Sequence, residues 1–257
     1  MAFYLLIDNS NSFTKFALSS AKRVGAVRRL PTPEVSIRSV KGLLKDWNFE
    51  AVILCSVVPA KGALLRKIFA KTFLLEVSAS TDLGVGIDYP QPASIGADRL
   101  ANAVAVALLY RPPAVVVDFG TAVTFDIISK ERCYIGGVIA PGLEAMTDYL
   151  HQRTAKLPKI SLLEPPGVIG KSTKHAMLAG AVYGYRGLVR EILLKIRHAL
   201  PGRRPLNVIA TGGYAELIAA DLPEITEVRP KLTLDGLRLI ANRHFPKKDP
   251  QESSFSP

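Results

Sequence analysis

The chain has 257 residues, 48% of them hydrophobic, 7% aromatic and 21% charged. That composition excludes disorder as the dominant state, and the length allows one large domain or two of ordinary size. The net charge of +11 invites a nucleic-acid or membrane reading, but the excess is concentrated in residues 151–200, where nine Lys or Arg stand against two acidic groups. A single basic stretch is not a basic protein.

In chain order, Phe3–Ile7 reads as a buried strand and Phe13–Leu18 as its hairpin partner, joined by the polar turn Asp8-Asn9-Ser10-Asn11-Ser12. Ile37–Trp47 has a helical pattern, Val52–Val58 is a strand, and Lys61–Lys71 is helical again. Residues 81–95 form a long loop with Gly84, Gly86, Pro90 and Pro92, a length more often functional than idle. Ala97–Tyr110 follows as a helix, and Arg111-Pro112-Pro113 breaks the chain. A second unit then opens with the strand Ala114–Val117, ending at Asp118, followed by Val123–Ile128 and Tyr134–Ile139. The strand, polar turn, strand pattern ending in Asp8 therefore recurs at Asp118, which suggests an internal duplication. A long helix spans about Ser172 to Leu200, Asn207–Ala210 is a strand, and the polar residues 246–257 read as a frayed tail.

Cys55 and Cys133 make no disulfide framework and lack metal-ligand spacing; Cys55, inside an apolar run, is expected to be a buried free thiol. No segment reaches the roughly 18–20 apolar residues of a membrane helix, and the expected location is the cytoplasm. The four histidines are scattered without metal spacing, and neither a Walker A loop nor a dinucleotide fingerprint is present.

The two turns carry the most chemistry. Asp8 to Lys15 and Asp118 to Thr124 each join a carboxylate at a strand end to small polar residues. Such turns either grip a triphosphate and its cations or are ordinary hairpin corners. Gly96-Ala97-Asp98-Arg99 opens a helix. Asp98 there suits the helix dipole, whereas Arg99 is electrostatically misplaced unless it meets a carboxylate ligand. On the long helix, Ala176, Gly180, Gly184 and Gly187 share one face, which calls for close approach of another helix from the same chain or a second subunit. Arg186, Arg190 and Arg197 read as a solvated basic stripe on a different face.

Taken together these residues resemble the type III pantothenate kinase family, within the acetate and sugar kinase, Hsp70 and actin superfamily. The family's D-x-G-N-T-x-x-K motif corresponds to Asp8-Asn9-Ser10-Asn11-Ser12-Phe13-Thr14-Lys15, G-A-D-R to Gly96–Arg99, and D-x-G-T-A-x-T to Asp118–Thr124. Gly136–Gly142, Thr154–Pro158, Gly170–Thr173 and Thr211–Gly213 follow in the family's order, so the likeness runs from about residue 3 to 243.

The resemblance implies an α/β fold of two ribonuclease-H-like (actin-like ATPase) domains, 1–112 and 113–245, with a nucleotide cleft between them, and a homodimer. It implies transfer of the ATP γ-phosphoryl group to pantothenate, the first step of coenzyme A synthesis. Asp98 would be the proton acceptor; Tyr89, Gly96, Ala97, Arg99 and Thr173 would bind substrate. Residues Asp8, Asn9, Ser10, Asn11, Ser12, Phe13, Thr14, Lys15 and Thr121 would bind ATP with Mg²⁺. Asp118 would hold a monovalent cation, K⁺ or NH₄⁺. At a helix N-terminus Asp98 is expected to be ionised, a weak base that mainly aims the hydroxyl. Two residues depart from the family pattern: Ser10 replaces Gly and Ser12 replaces Thr. If position 10 needs φ > 0 or close backbone approach, its Cβ costs roughly 1 kcal/mol or more. The alternative is a catalytically weak or regulatory member of the same fold, associated with nucleic acid through residues 151–200.

Overall fold

Tyr4–Asn9 forms strand β1, and every residue of it is buried. A strand covered on both faces needs a continuous apolar run rather than alternation, which is what Tyr4-Leu5-Leu6-Ile7 supplies. The computed structural model describes residues 3–201 and 205–245; the tail expected at 246–257 lies outside them.

The described residues up to Ala105, together with Thr233–Phe245, form one compact unit, and Val106–Leu232 form another. In the first, β1 pairs antiparallel with β2 (Phe13–Ser19), which pairs antiparallel with β3 (Val24–Pro31). Beyond helix α1 (Ile37–Leu43), β4 (Ala51–Ser56) returns parallel to β1. After α2 (Pro59–Ile68), β5 (Phe73–Glu76) adds parallel to β4, so the sheet order is β3-β2-β1-β4-β5. One face of this sheet packs on α1 and α2 side chains, with Leu5, Ile7, Phe16, Val40, Leu54, Leu65 and Phe69 at its centre. Full burial of each such side chain is worth about 1.5–3 kcal/mol.

The loop 81–95 contains only a short strand, β6 (Gly86–Ile87), and one 3₁₀ turn at Pro92–Ser94 before α3 (Ala97–Leu109).

The second unit repeats the plan. Strands β7 (Ala114–Phe119), β8 (Ala122–Ile128) and β9 (Cys133–Pro141) run antiparallel in succession. After helices α4 (Leu143–Arg153) and α5 (Thr173–Ala199), β10 (Asn207–Gly212) lies parallel to β7. The helix α6 (Ala215–Ala219) then leads to β11 (Glu227–Val228), parallel to β10. The order β9-β8-β7-β10-β11 matches β3-β2-β1-β4-β5 strand for strand, in direction as well as position. The duplication suggested by Asp8 and Asp118 is thus present in the topology.

Several expectations are corrected. The helix expected over Ile37–Trp47 ends at Leu43, where the Arg28 guanidinium bonds the Leu43 carbonyl, pairs with Asp46 and stacks on Trp47. The last helix, α7 (Leu232–His244), was assigned with 113–245 to the second domain, yet from Thr233 onward it belongs to the first unit. Its attachment is specific. Gly236 presses so closely on α3 that a Cβ there would lie 1.9 Å from the Ala101 carbonyl oxygen. Thr233 donates to Asn102 at 2.9 Å, and Arg238 and Asn242 both donate to the Ala21 carbonyl.

The basic stripe is also broken up. Arg186 is buried, bidentate to Glu164 and bonded to the Leu217 and Ile218 carbonyls, so it is a structural tie. Arg190 and Arg197 are exposed, and Arg190 pairs with Glu224. On the small-residue face, Gly180, Gly184 and Gly187 are exposed, and a Cβ on any of them would meet nothing within 4 Å. Among the described residues of the same unit, no helix covers that face.

Candidate active site

The first phosphate-type turn is built by strand register. Asp8 and Lys15 are cross-strand partners in the β1–β2 ladder, and Asn9 stands opposite Thr14. On its other side β1 sets Asp8 beside Cys55 and Asn9 beside Ser56. The Asp8 carboxylate is 2% exposed, with Lys15 Nζ 3.2 Å from its Oδ2 and Ser10 Oγ donating to its Oδ1 at 2.7 Å.

Ser10, the departure from the family pattern, carries no backbone strain: among the described non-glycine residues only Arg132 has a positive φ. The penalty expected from a positive φ does not arise. The Ser10 hydroxyl instead engages Asp8.

Beneath the turn runs a buried relay of hydroxyl and amide groups. Ser56 Oγ donates to Asn9 Oδ1 at 2.7 Å, and Asn9 Nδ2 donates to Thr14 Oγ1 at 2.7 Å. Thr32 Oγ1 donates to the Ser10 carbonyl at 2.7 Å, so its 3.0 Å bond with Thr14 takes its proton from Thr14. Every member has one defined role, which fixes the backbone of the turn. Asn9 and Thr14, expected to touch ATP, are fully buried and act as its scaffold, whereas Asn11, Ser12 and Phe13 are exposed. Ser56 and Thr32 went unnoticed in the sequence. Ser56 closes an apolar run and acquires meaning only once β4 pairs with β1; Thr32 sits between two prolines with no local signal. Thr14→Val is expected to cost roughly 1–3 kcal/mol in a denaturant titration, because Asn9 and Thr32 each lose a buried partner.

Asp98 and Arg99 occupy the first turn of α3. A Cβ on Gly96 would lie 2.6 Å from Asp98 Oδ1, so the glycine leaves room for that carboxylate. The Arg99 N–H donates to Asp98 Oδ1 at 2.8 Å. Burial pushes the Asp98 carboxyl above its ordinary value of 3.8, with the Asp8 charge adding to the effect; the Arg99 N–H and charge oppose it. Burial thus outweighs the favourable helix end and makes the ionised carboxylate a stronger base than an exposed one. Cys55 is fully buried in the same neighbourhood, and burial, then Asp8 and Asp98, push its thiol well up. It is the buried free thiol expected. Tyr89 lies exposed in the 81–95 loop of the same unit.

In the second unit, Asp118 stands at the end of β7 and the Gly120–Thr121 turn follows, with Thr121 exposed. Gly212 has φ +95°, and a Cβ on it would lie 2.6 Å from Asp118 Oδ1 and from the Phe119 backbone. Only glycine allows the Thr211-Gly212-Gly213 turn to sit against the Asp118 carboxylate. Thr173 is exposed at the start of α5, whose cap is Ser172, accepting from the His175 N–H. Among the described residues no group of three or more His, Cys, Asp or Glu could hold a metal ion.

Two copies of one sheet plan, each with an aspartate at the end of its first strand beside a polar turn, define an α/β protein of the actin-like ATPase and sugar-kinase fold class. A family profile described as type III pantothenate kinase matches residues 4–195. A type III pantothenate kinase of Akkermansia muciniphila is 53% identical over 239 residues, covering 93% of this chain and 98% of that protein. One of Methylacidiphilum infernorum is 44% identical, covering 92% and 87%. Among solved structures, the inorganic polyphosphate/ATP-glucomannokinase of Arthrobacter sp. strain KM aligns with a TM-score of 0.51 at 14% identity, covering 95% of this chain and all of that one, a likeness of fold alone. The chain belongs to the type III pantothenate kinase family. It is by that membership a pantothenate kinase, a phosphotransferase with an alcohol group as acceptor. No helix among the described residues is long and apolar enough to cross a membrane.

Proposed function

We propose that the chain transfers the γ-phosphoryl group of ATP to the primary hydroxyl of pantothenate, with Asp98 as proton acceptor. The observation that carries this role is the half-buried Asp98 carboxyl at the head of α3, raised above its ordinary value by desolvation and by the Asp8 charge. A base with a raised pKa takes a proton more effectively than an exposed carboxylate. The hydroxyl oxygen bonds to the γ-phosphorus as the bond to the ADP oxygen breaks, and the hydroxyl proton passes to Asp98. Arg99, next to it, is assigned the pantothenate carboxylate, and Tyr89, Gly96, Ala97 and Thr173 complete the substrate contacts.

The nucleotide is assigned to the 8–15 turn and to Thr121. Asp8 spends one hydrogen bond on Ser10 and one ion pair on Lys15. A carboxylate has about four lone-pair sites, so Asp8 still fits the water shell of a Mg²⁺ that arrives on the phosphates. That ion supplies charge neutralisation at the transferring group. Asp118, cradled by Gly212, is the residue we assign to a monovalent cation, K⁺ or NH₄⁺. The exposed small-residue face of α5, with Leu194 44% and Tyr149 62% exposed in the same unit, supports a homodimer. A cytoplasmic location follows from the same reading.

Purified protein with MgATP and KCl is expected to yield 4′-phosphopantothenate by mass spectrometry; no product at millimolar ATP, with pantothenate still bound, sinks the reading. The base requires its ionised form, so activity rises with pH through the raised Asp98 pKa. A profile of kcat/KM for pantothenate is expected to show its acid limb above 3.8, on the side to which burial moves the group. A limb at or below that value removes Asp98 from the role. The nucleic-acid alternative is not favoured, since family membership accounts for the chain and Arg186 is committed to the interior.

A further inference from the structure

We propose that Arg243, at the end of α7, is a positioning residue for pantothenate binding: it latches the start of the 81–95 loop, which carries Tyr89. The proposal deepens the functional reading above and rests on it. Four observations converge on one short stretch of chain. Arg243 Nε lies 2.8 Å from Asp82 Oδ2, and His244 Nε2 bonds the Asp82 carbonyl at 2.9 Å. The other Asp82 oxygen accepts from the Gly84 N–H at 3.2 Å, so a single carboxylate joins helix to loop and shapes the turn. Gly84 has φ +70°, and a Cβ on it would lie 3.1 Å from the Arg243 guanidinium, so the arginine packs over a backbone that only glycine adopts cheaply. Between them Leu83 is 3% exposed, an apolar peg for the same turn.

The far end of this latch is itself secured to the catalytic helix. Gly236 and Thr233 of α7 lock onto Ala101 and Asn102 of α3, one turn beyond Asp98 and Arg99. The helix α7 therefore holds α3 near its N-terminal end and the Tyr89 loop at the other. It sets one group of substrate residues in register with the second. The C-terminal end of α7 is pinned in turn, since Tyr4 Oη donates to the Phe245 carbonyl at 3.0 Å and Phe73 meets the Phe245 ring edge-on. Asp82 is also held below its ordinary value of 3.8 by Arg243, which keeps the latch charged at working pH.

The test uses the full chain, with Arg243→Ala and Asp82→Asn compared against Arg243→Lys. Asp82→Asn keeps an acceptor for Gly84 while removing the charge. Both disruptive variants are expected to raise KM for pantothenate about three- to fivefold, with KM for ATP and the melting temperature unchanged. Arg243→Lys restores part of the loss. Hydrogen exchange of amides 82–89 is expected to quicken in the same two variants. Unchanged pantothenate KM and unchanged exchange overturn the latch. If the wild type fails to phosphorylate pantothenate, the functional reading falls, and the exchange measurement alone still decides whether Arg243 orders the loop.

Discussion

Replacing Asp98 by Asn is expected to lower kcat roughly 10²–10⁴-fold while leaving the protein folded and able to bind ATP. The magnitude is that of a positioned proton acceptor in a transition state, and Asn cannot take the proton. Its carboxamide oxygen still accepts the Arg99 N–H bond that Asp98 Oδ1 holds at 2.8 Å, so the first turn of α3 keeps its geometry. Stability moves in the opposite sense to activity. The folded-state pKa of Asp98 is raised by burial, so the native protein binds this proton more tightly than the unfolded chain does. Its ionisation therefore costs stability, a cost that sets in as pH rises through the raised pKa. Asn removes that charge, and a melting temperature equal to or above wild type is expected at neutral pH. A variant that loses activity and also unfolds would show that Asp98 is structural. One that turns over at the wild-type rate would assign proton transfer elsewhere.

Gly236→Ala should lower stability by roughly 2–4 kcal/mol in denaturant titration. An added methyl in a helix interior ordinarily helps by about 1 kcal/mol. Here it would stand 1.9 Å from the Ala101 carbonyl oxygen, a backbone atom with no rotamer to escape into. Two helix backbones must separate, and overpacking of that kind outweighs propensity. Ala101 follows Asp98 by three residues in α3, so the same displacement moves the proposed base. A loss of kcat/KM toward pantothenate near 10²-fold is expected at temperatures where the variant remains folded, in line with the cost of about 1 Å of misplacement. A variant as stable as wild type would mean that α7 does not approach α3 this closely.

Some of this was legible along the chain. Buried central strands announce themselves as apolar runs, so β1, β4 and β7 were placed within two residues. The polar turns after Asp8 and Asp118 marked the corresponding strand ends of the two units. Edge strand β3, with half-buried Arg28 and exposed Arg29, carries no alternation and went unread, as did the four-residue β5. The charge excess misled in part: Arg186 looked solvated by helical spacing, but its guanidinium is satisfied by Glu164 and two carbonyls that arrive from elsewhere in the chain. Helical periodicity says which face a residue occupies and nothing about what covers that face.

The order and spacing of motifs were sufficient for the family, the repeated α/β plan and the identity of the residues around Asp8, Asp98 and Asp118, because those depend on local chain chemistry. Three matters needed the folded structure. The relay Ser56–Asn9–Thr14–Thr32 exists only when β4 lies beside β1, since its members are separated by as many as 47 residues. The raised pKa of Asp98 comes from burial, and burial is a property of everything packed around a residue. Most of all, α7 leaves its neighbours in sequence to join the first unit, where Gly236 meets Ala101 and Arg243 meets Asp82. Close packing between segments more than a hundred residues apart is decided by shape, and shape is written in no local stretch of the chain.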